Sequence, residues 1–132
     1  GLRKSMPMYA AIFLFTSFAS IGLPGLNGFV GEFMILMGSY PTFKVLTSVA
    51  AFGVVLAAIY MLWAYQRMFN GQLDNDENSV LKDLSSKELV AVGPLLVLML
   101  FIGIYPSFIE SYVVQDVSVI YESISNLIGV SQ

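Results

Sequence analysis

Apolar residues run almost without interruption from Met8 to Gly38, again from Val45 to Tyr65, and a third time from Leu89 to Tyr105. Polar residues gather between them, most densely from Asn70 to Glu88. The first run, as one continuous helix, would be about 46 Å long at 1.5 Å per residue, well over the ~30 Å of a bilayer's hydrocarbon core. Its middle reads Gly22-Leu23-Pro24-Gly25-Leu26-Asn27-Gly28. Pro24 has no backbone N–H and clashes with the preceding turn, and glycine is the weakest helix former after proline. The pattern predicts one membrane helix broken at Pro24-Gly25, helical over roughly 8–23 and 27–38. A hairpin turning at 24–28 is the alternative, but neither arm would reach across a membrane.

The second run predicts a helix over 45–65. Ala50, Gly53, Ala57 and Ala64 form a stripe of small residues suited to helix packing. Tyr60, Trp63 and Tyr65 precede Arg67 and read as an interfacial aromatic belt with a cationic anchor. In the polar loop, Ser85 and Glu88 have the spacing of a capping box, with Ser85 as N-cap. The third helix follows over 89–105, with Pro94 in its second turn and Pro106 at its end. Beyond it, Val113, Val117, Ile120, Ile124 and Leu127 recur at helical spacing, while Glu110, Asp116 and Glu122 prevent a fourth crossing. The tail 107–132 is therefore expected to be an amphipathic helix. Its acidic polar face suits a protein neighbour better than anionic lipid.

Composition agrees with these elements. Of 132 residues, 57% are hydrophobic and only 11% charged, and the mean hydropathy is +0.78. A soluble domain carries about a quarter charged residues. The expected fold class is all-α: an integral membrane helical bundle of three transmembrane helices, the first broken, plus the amphipathic tail. Residues 1–132 read as one region, and a chain that opens on Gly1-Leu2-Arg3-Lys4 reads as a piece of a larger membrane protein. With three crossings, Arg3, Lys4, Arg67, Lys82 and Lys87 share one side and only Lys44 the other. That asymmetry puts the 67–88 loop and the start of the chain on the cytoplasmic side or its equivalent.

Chemistry concentrates on one residue. Glu32 is the sole charge between Met6 and Tyr40. An ionisable group at membrane depth costs roughly 2.5–3.5 kcal/mol on insertion scales. Such groups usually face protein or a water cavity, and many carry protons. The plainer reading is a Glu near a helix end that reaches back to the interface. If helical geometry largely persists, Gly22, Gly25, Gly28 and Glu32 fall near one face, with Phe29, Phe33 and Leu36 as the apolar wall. Asn27 and Ser20 offer polar sites near the break, for water or for freed backbone groups, the second role being the more ordinary. With no Cys and no His, the chain has no thiolate ligands and no haem histidines, and it lacks a dinucleotide fingerprint. No cofactor, metal or redox chemistry is expected in it. A net charge of −3 argues against nucleic-acid binding.

The run Leu23-Pro-Gly-Leu-Asn-Gly-Phe-Val-Gly-Glu-Phe33, preceded by Gly1-Leu-Arg-Lys-Ser-Met-Pro7, resembles the proton-translocating antiporter-like subunits of respiratory complex I, of the type called M in bacteria and 4 in organelles. The resemblance extends through Asp83-Leu84 and Lys87-Glu88 to the last span, as for a C-terminal fragment of that subunit. It implies a larger subunit with two inverted repeats, each holding a broken helix. Glu32 would be the ionisable residue of the second, on a proton path towards the outer side. Pro24, Gly25, Asn27 and Gly28 would form the break and its access to water. Related antiporters commonly carry Lys at that position, and Lys87 stands where the family often has Arg. The implied activity is proton translocation coupled to electron transfer from NADH to quinone elsewhere in the complex. Other complex I membrane subunits and the lipid bilayer would be its partners. The implied location is a bacterial plasma membrane, or an organellar inner or thylakoid membrane. Two alternatives stay open: a subunit of a multisubunit monovalent cation/proton antiporter, and a structural anchor in which Glu32 pairs with a neighbouring helix.

Overall fold

A computed structural model of the chain describes residues 1–72 and 76–128. These form helices α1 (Pro7–Ser20), α2 (Asn27–Ser39), α3 (Lys44–Phe69), α4 (Ser86–Ile104) and α5 (Ser107–Ile128), with short 3-10 turns at Leu2–Lys4 and Asp76–Val80. The expected polar loop includes 73–75 and the expected tail includes 129–132, which lie outside the described residues.

The break between α1 and α2 is two turn motifs in series. After the C-cap Ile21, Gly22 takes a φ of 71°, and the Leu23 N–H donates to the Phe18 carbonyl at 3.0 Å. That is the long bond of a Schellman motif, which needs a left-handed residue just past the helix end. Leu23-Pro24-Gly25-Leu26 then closes a β-turn, the Leu26 N–H donating to the Leu23 carbonyl at 3.1 Å. Proline at the second position and Gly25 at φ 95° are what a type II turn requires. Helical geometry therefore does not persist through the break. Gly22 and Gly25 are turn formers here, not members of one helical face with Gly28 and Glu32.

Helix α3 shows how the two halves are arranged. Its C-terminal part packs on α1, where Ala10, Tyr65 and Phe69 form a small core with Phe13 and Leu14 against it. Phe13 and Tyr65 stack with ring centroids 6.4 Å apart. Its N-terminal part, Leu46 to Ala50, together with the N-cap Phe43, shares a groove with Ile35, Leu36 and Ser39 of α2. One helix of 26 residues, about 39 Å long, thus spans both α1 and α2. The pair extends end to end along it as a broken helix rather than folding back as a hairpin.

Two expectations for α3 change. Tyr65 is only 7% exposed and belongs to the aromatic core, not to an interfacial belt. Trp63 does sit under Arg67, whose guanidinium carbon is 4.9 Å from its ring centroid. In the small-residue stripe, Ala50 lines the groove against α2, but a Cβ on Gly53 would meet nothing within 4 Å.

The capping box forms at the start of α4. Glu88 N–H donates to the Ser85 hydroxyl, and Ser85 N–H donates to the Glu88 carboxylate at 2.8 Å. At its other end, α4 presses on the break: a Cβ on Gly103 would collide with the Gly25 carbonyl and the Leu26 Cα. Leu26 is correspondingly buried. Helices α3 and α4 are long and apolar enough to cross a membrane, and α1 is a shorter apolar helix. Most of their large apolar side chains point outwards, Val45, Val90 and Val97 among them. Helix α5 runs directly on from Pro106, with Val113, Val117, Ile120, Ile124 and Leu127 all exposed.

Candidate functional site

Glu32 lies in the second turn of α2, half-buried, and its position depends on glycine at two neighbouring places. A Cβ on Gly22 would collide with the Glu32 Oε2. A Cβ on Gly28 would collide with the Ala19 carbonyl oxygen, so glycine there lets α2 start directly against the end of α1. The break thus brings Glu32 beside the end of α1, where a continuous helix would carry it about 18 Å beyond.

The carboxylate opens into a cavity of about 410 Å³, lined by Thr16, Ala19 and Ser20 of α1, Asn27 and Gly28 of α2, and Met99 of α4. A cavity of this size with several polar groups on its wall suits water. The hydroxyls on α1 spend their protons on their own helix. Thr16 donates to the Ile12 and Phe13 carbonyls and Ser20 to the Thr16 carbonyl, each at 3.0 Å. Their oxygens keep acceptor capacity towards the cavity. Ser20 therefore satisfies a carbonyl of the intact helix, not one freed at the break. Asn27 differs: its Oδ1 is buried and has no hydrogen-bond partner. Among the described residues, no ion pair or hydrogen bond from another side chain reaches Glu32.

The expected apolar wall is elsewhere. Phe29 and Phe33 stack on each other with centroids 5.1 Å apart, and Leu36 lines the groove against α3. Neither they nor Pro24 and Gly25 line the Glu32 cavity. Pro24 is exposed, and Gly25 turns its carbonyl towards Gly103. Thr16 and Met99 join the site unforeseen. Thr16 lies four residues before Ser20, a spacing that signals a shared face. Met99 has no such signal, being one apolar residue among many in α4. No cluster of metal-ligating side chains occurs among the described residues.

An all-helical bundle of apolar helices with an interrupted helix, and one carboxylate facing a polar cavity at the interruption, is the architecture of a membrane protein, since broken backbone and ionisable groups at membrane depth face protein or a cavity. Comparison with known proteins agrees. The family described as the transmembrane region of NADH:quinone oxidoreductases and Mrp antiporters matches residues 1–59. NADH-quinone oxidoreductase subunit M of Rhodobacter capsulatus is 41% identical over 116 residues, covering 86% of this chain and 22% of the relative. The subunit M of Rickettsia bellii is 36% identical and NADH-ubiquinone oxidoreductase chain 4 of Arabidopsis thaliana 35%, each covering 97% of this chain and 24% of the relative. The chain belongs to this family of antiporter-like membrane subunits, of the M/4 type. It spans about a quarter of the length of the relatives it matches.

Proposed function

We propose that the chain serves in a membrane subunit of NADH:quinone oxidoreductase, translocating protons while electrons pass from NADH to quinone in other subunits. The observation that carries this reading is the Glu32 carboxylate facing a polar cavity at the junction of α1, α2 and α4. A carboxyl group there can exchange a proton with water in the cavity, and a change in hydration or in a nearby charge would alternate loading and release. Ser20 and Thr16 offer acceptor oxygens that would orient water beside it, with the Asn27 amide on the cavity wall. The broken α1–α2 pair, α3 and α4 are the three crossings in this reading, with the basic ends inside. Neighbouring subunits and lipid would cover the exposed apolar faces.

The test compares two substitutions in membranes containing equal amounts of assembled complex. Glu32→Gln keeps the size but cannot ionise, so NADH-driven proton uptake should be lost, whereas Glu32→Asp should retain part of it. A structural hydrogen-bonding role orders the two variants oppositely, and full activity of Glu32→Gln would end the proton-carrier reading. The matching family also includes Mrp antiporters, which keeps a second reading in play. A cation/proton antiporter would exchange sodium or potassium for protons without NADH, a difference that transport assays on vesicles resolve.

A further inference from the structure

Asn27 stands on the wall of the Glu32 cavity. That residue also lines a second cavity of about 310 Å³, which extends along α2 past Val30 and Gly31 to Met34 and is covered by the end of α4 and the first turns of α5. This is the direction away from the basic end of the bundle, where Asp83 meets the start of α1. The walls of the second cavity are mainly aliphatic, and Glu110 is the one titratable side chain on them. Glu110 is half-buried, unlike the acidic residues further along α5, Asp116 and Glu122, which are exposed. The partnerless Oδ1 of Asn27 lies at the junction. That oxygen is closed off from solvent in this structure, and a water molecule entering between the two cavities would satisfy it.

We infer that Asn27 links two compartments of a single proton path and that Glu110 receives the proton leaving Glu32. The inference rests on the proposed role of Glu32. A proton released from the Glu32 carboxyl would pass along water held by Asn27, cross the aliphatic stretch when water enters it, and protonate the Glu110 carboxylate. From there it returns to bulk water at the start of α5. No covalent bond other than O–H is made or broken, and each carboxyl is restored when the next proton arrives. The aliphatic stretch resists continuous wetting, as hydrophobic constrictions do in channels, and so limits leakage between the two carboxylates. The first turn of α5 thereby has a part in transport and is more than a docking surface.

The experiment uses the full complex in sealed membranes, reading protons translocated per NADH oxidised at equal assembled complex. Glu110→Gln should lower that number while Glu110→Asp retains it, a rescue that a purely structural role for the side chain would not give. Gly31→Leu tests the path independently of charge. A Cβ on Gly31 meets nothing within 4 Å, so the added side chain would fill the second cavity without striking the backbone, and it should also lower the number. Glu32→Gln is measured alongside. If Glu32→Gln impairs translocation while Glu110→Gln and Gly31→Leu both match the unaltered complex, the Glu110 path is wrong and the role of Glu32 stands. If Glu32→Gln pumps normally, the reading beneath both fails. Should Glu110→Gln assemble poorly, Gly31→Leu alone decides the path, and normal pumping by it would overturn the inference.

Discussion

The Asp83 carboxylate accepts the backbone N–H of Met8 at 2.8 Å, joining residues 75 positions apart in the chain. It also accepts the N–H of Tyr9 at 3.0 Å and that of Leu84 at 2.8 Å. Met6, the N-cap residue of α1, contributes no side-chain cap, so Asp83 supplies from another element the acceptor that the first turn needs. It binds the start of α1 to the entry of α4, and both helices line the Glu32 cavity.

Asp83→Ala should lower the thermal stability of the assembled complex, and Asp83→Asn less so, because one acceptor oxygen survives. Partial burial by itself would raise the pKa of Asp83, but the three backbone N–H groups outweigh it and hold the carboxyl below its ordinary 3.8. A depressed folded pKa means a contribution fully present above the unfolded value and lost as pH falls through the folded one. The gap between Asp83→Ala and the unaltered chain should therefore be constant through the neutral range and close only below 3.8. Melting curves at neutral and strongly acid pH check this. A gap that narrows near neutrality would show that the clamp is not the cause.

Substitutions in the break should separate two effects. Gly25 has a φ of 95° and open space where a Cβ would go. Gly25→Ala therefore meets only backbone strain, about 1–2 kcal/mol. Pro24→Ala relaxes the chain without a clash and should cost under ~1 kcal/mol. Chemical denaturation of the purified complex would rank them, and equal effects would argue against a type II turn at 23–26.

Gly103→Ala forces a methyl group into the backbone of the break. Overpacking of this kind costs about 1–3 kcal/mol, and here the displaced atoms belong to Gly25 and Leu26. Proton translocation should suffer as well as stability. Gly53→Ala is the control. Its Cβ would enter open space, and relief of glycine's helix penalty offsets any loss by up to ~1 kcal/mol. Stability and pumping measured on both variants would discriminate, and an equal response would remove Gly103 as a contact.

A cysteine at Val80, which is 77% exposed, should react with a membrane-impermeant thiol reagent only from the cytoplasmic or matrix side. The prediction combines the Lys and Arg asymmetry with the structural finding that Gly1 meets Met68 and Asp83 meets Met8 at one end of the bundle. Labelling from the opposite side would invert the proposed topology.

Local physics made much of the protein legible in one dimension. Uninterrupted apolar runs predict helices, Pro24 and the glycines around it predict the break, and the spacing of Ser85 and Glu88 predicts a cap, because each effect acts within a turn or two of chain. The isolation of Glu32 among apolar residues is likewise readable in one dimension, and it is what singles Glu32 out as the candidate proton carrier. What depended on tertiary structure was every relation between elements. Tyr65 could not be told from a belt residue until α3 was laid on α1, since an aromatic ring suits a core and an interface equally. Gly103 and Met99 acquire meaning only from the close approach of α4 to the break. Asp83 is one of several loop acids until its oxygens meet two amides 74 and 75 residues distant. Contacts between distant segments depend on how helices stack, and hydrophobic periodicity, which says only that a face is apolar, does not encode which neighbour that face will meet.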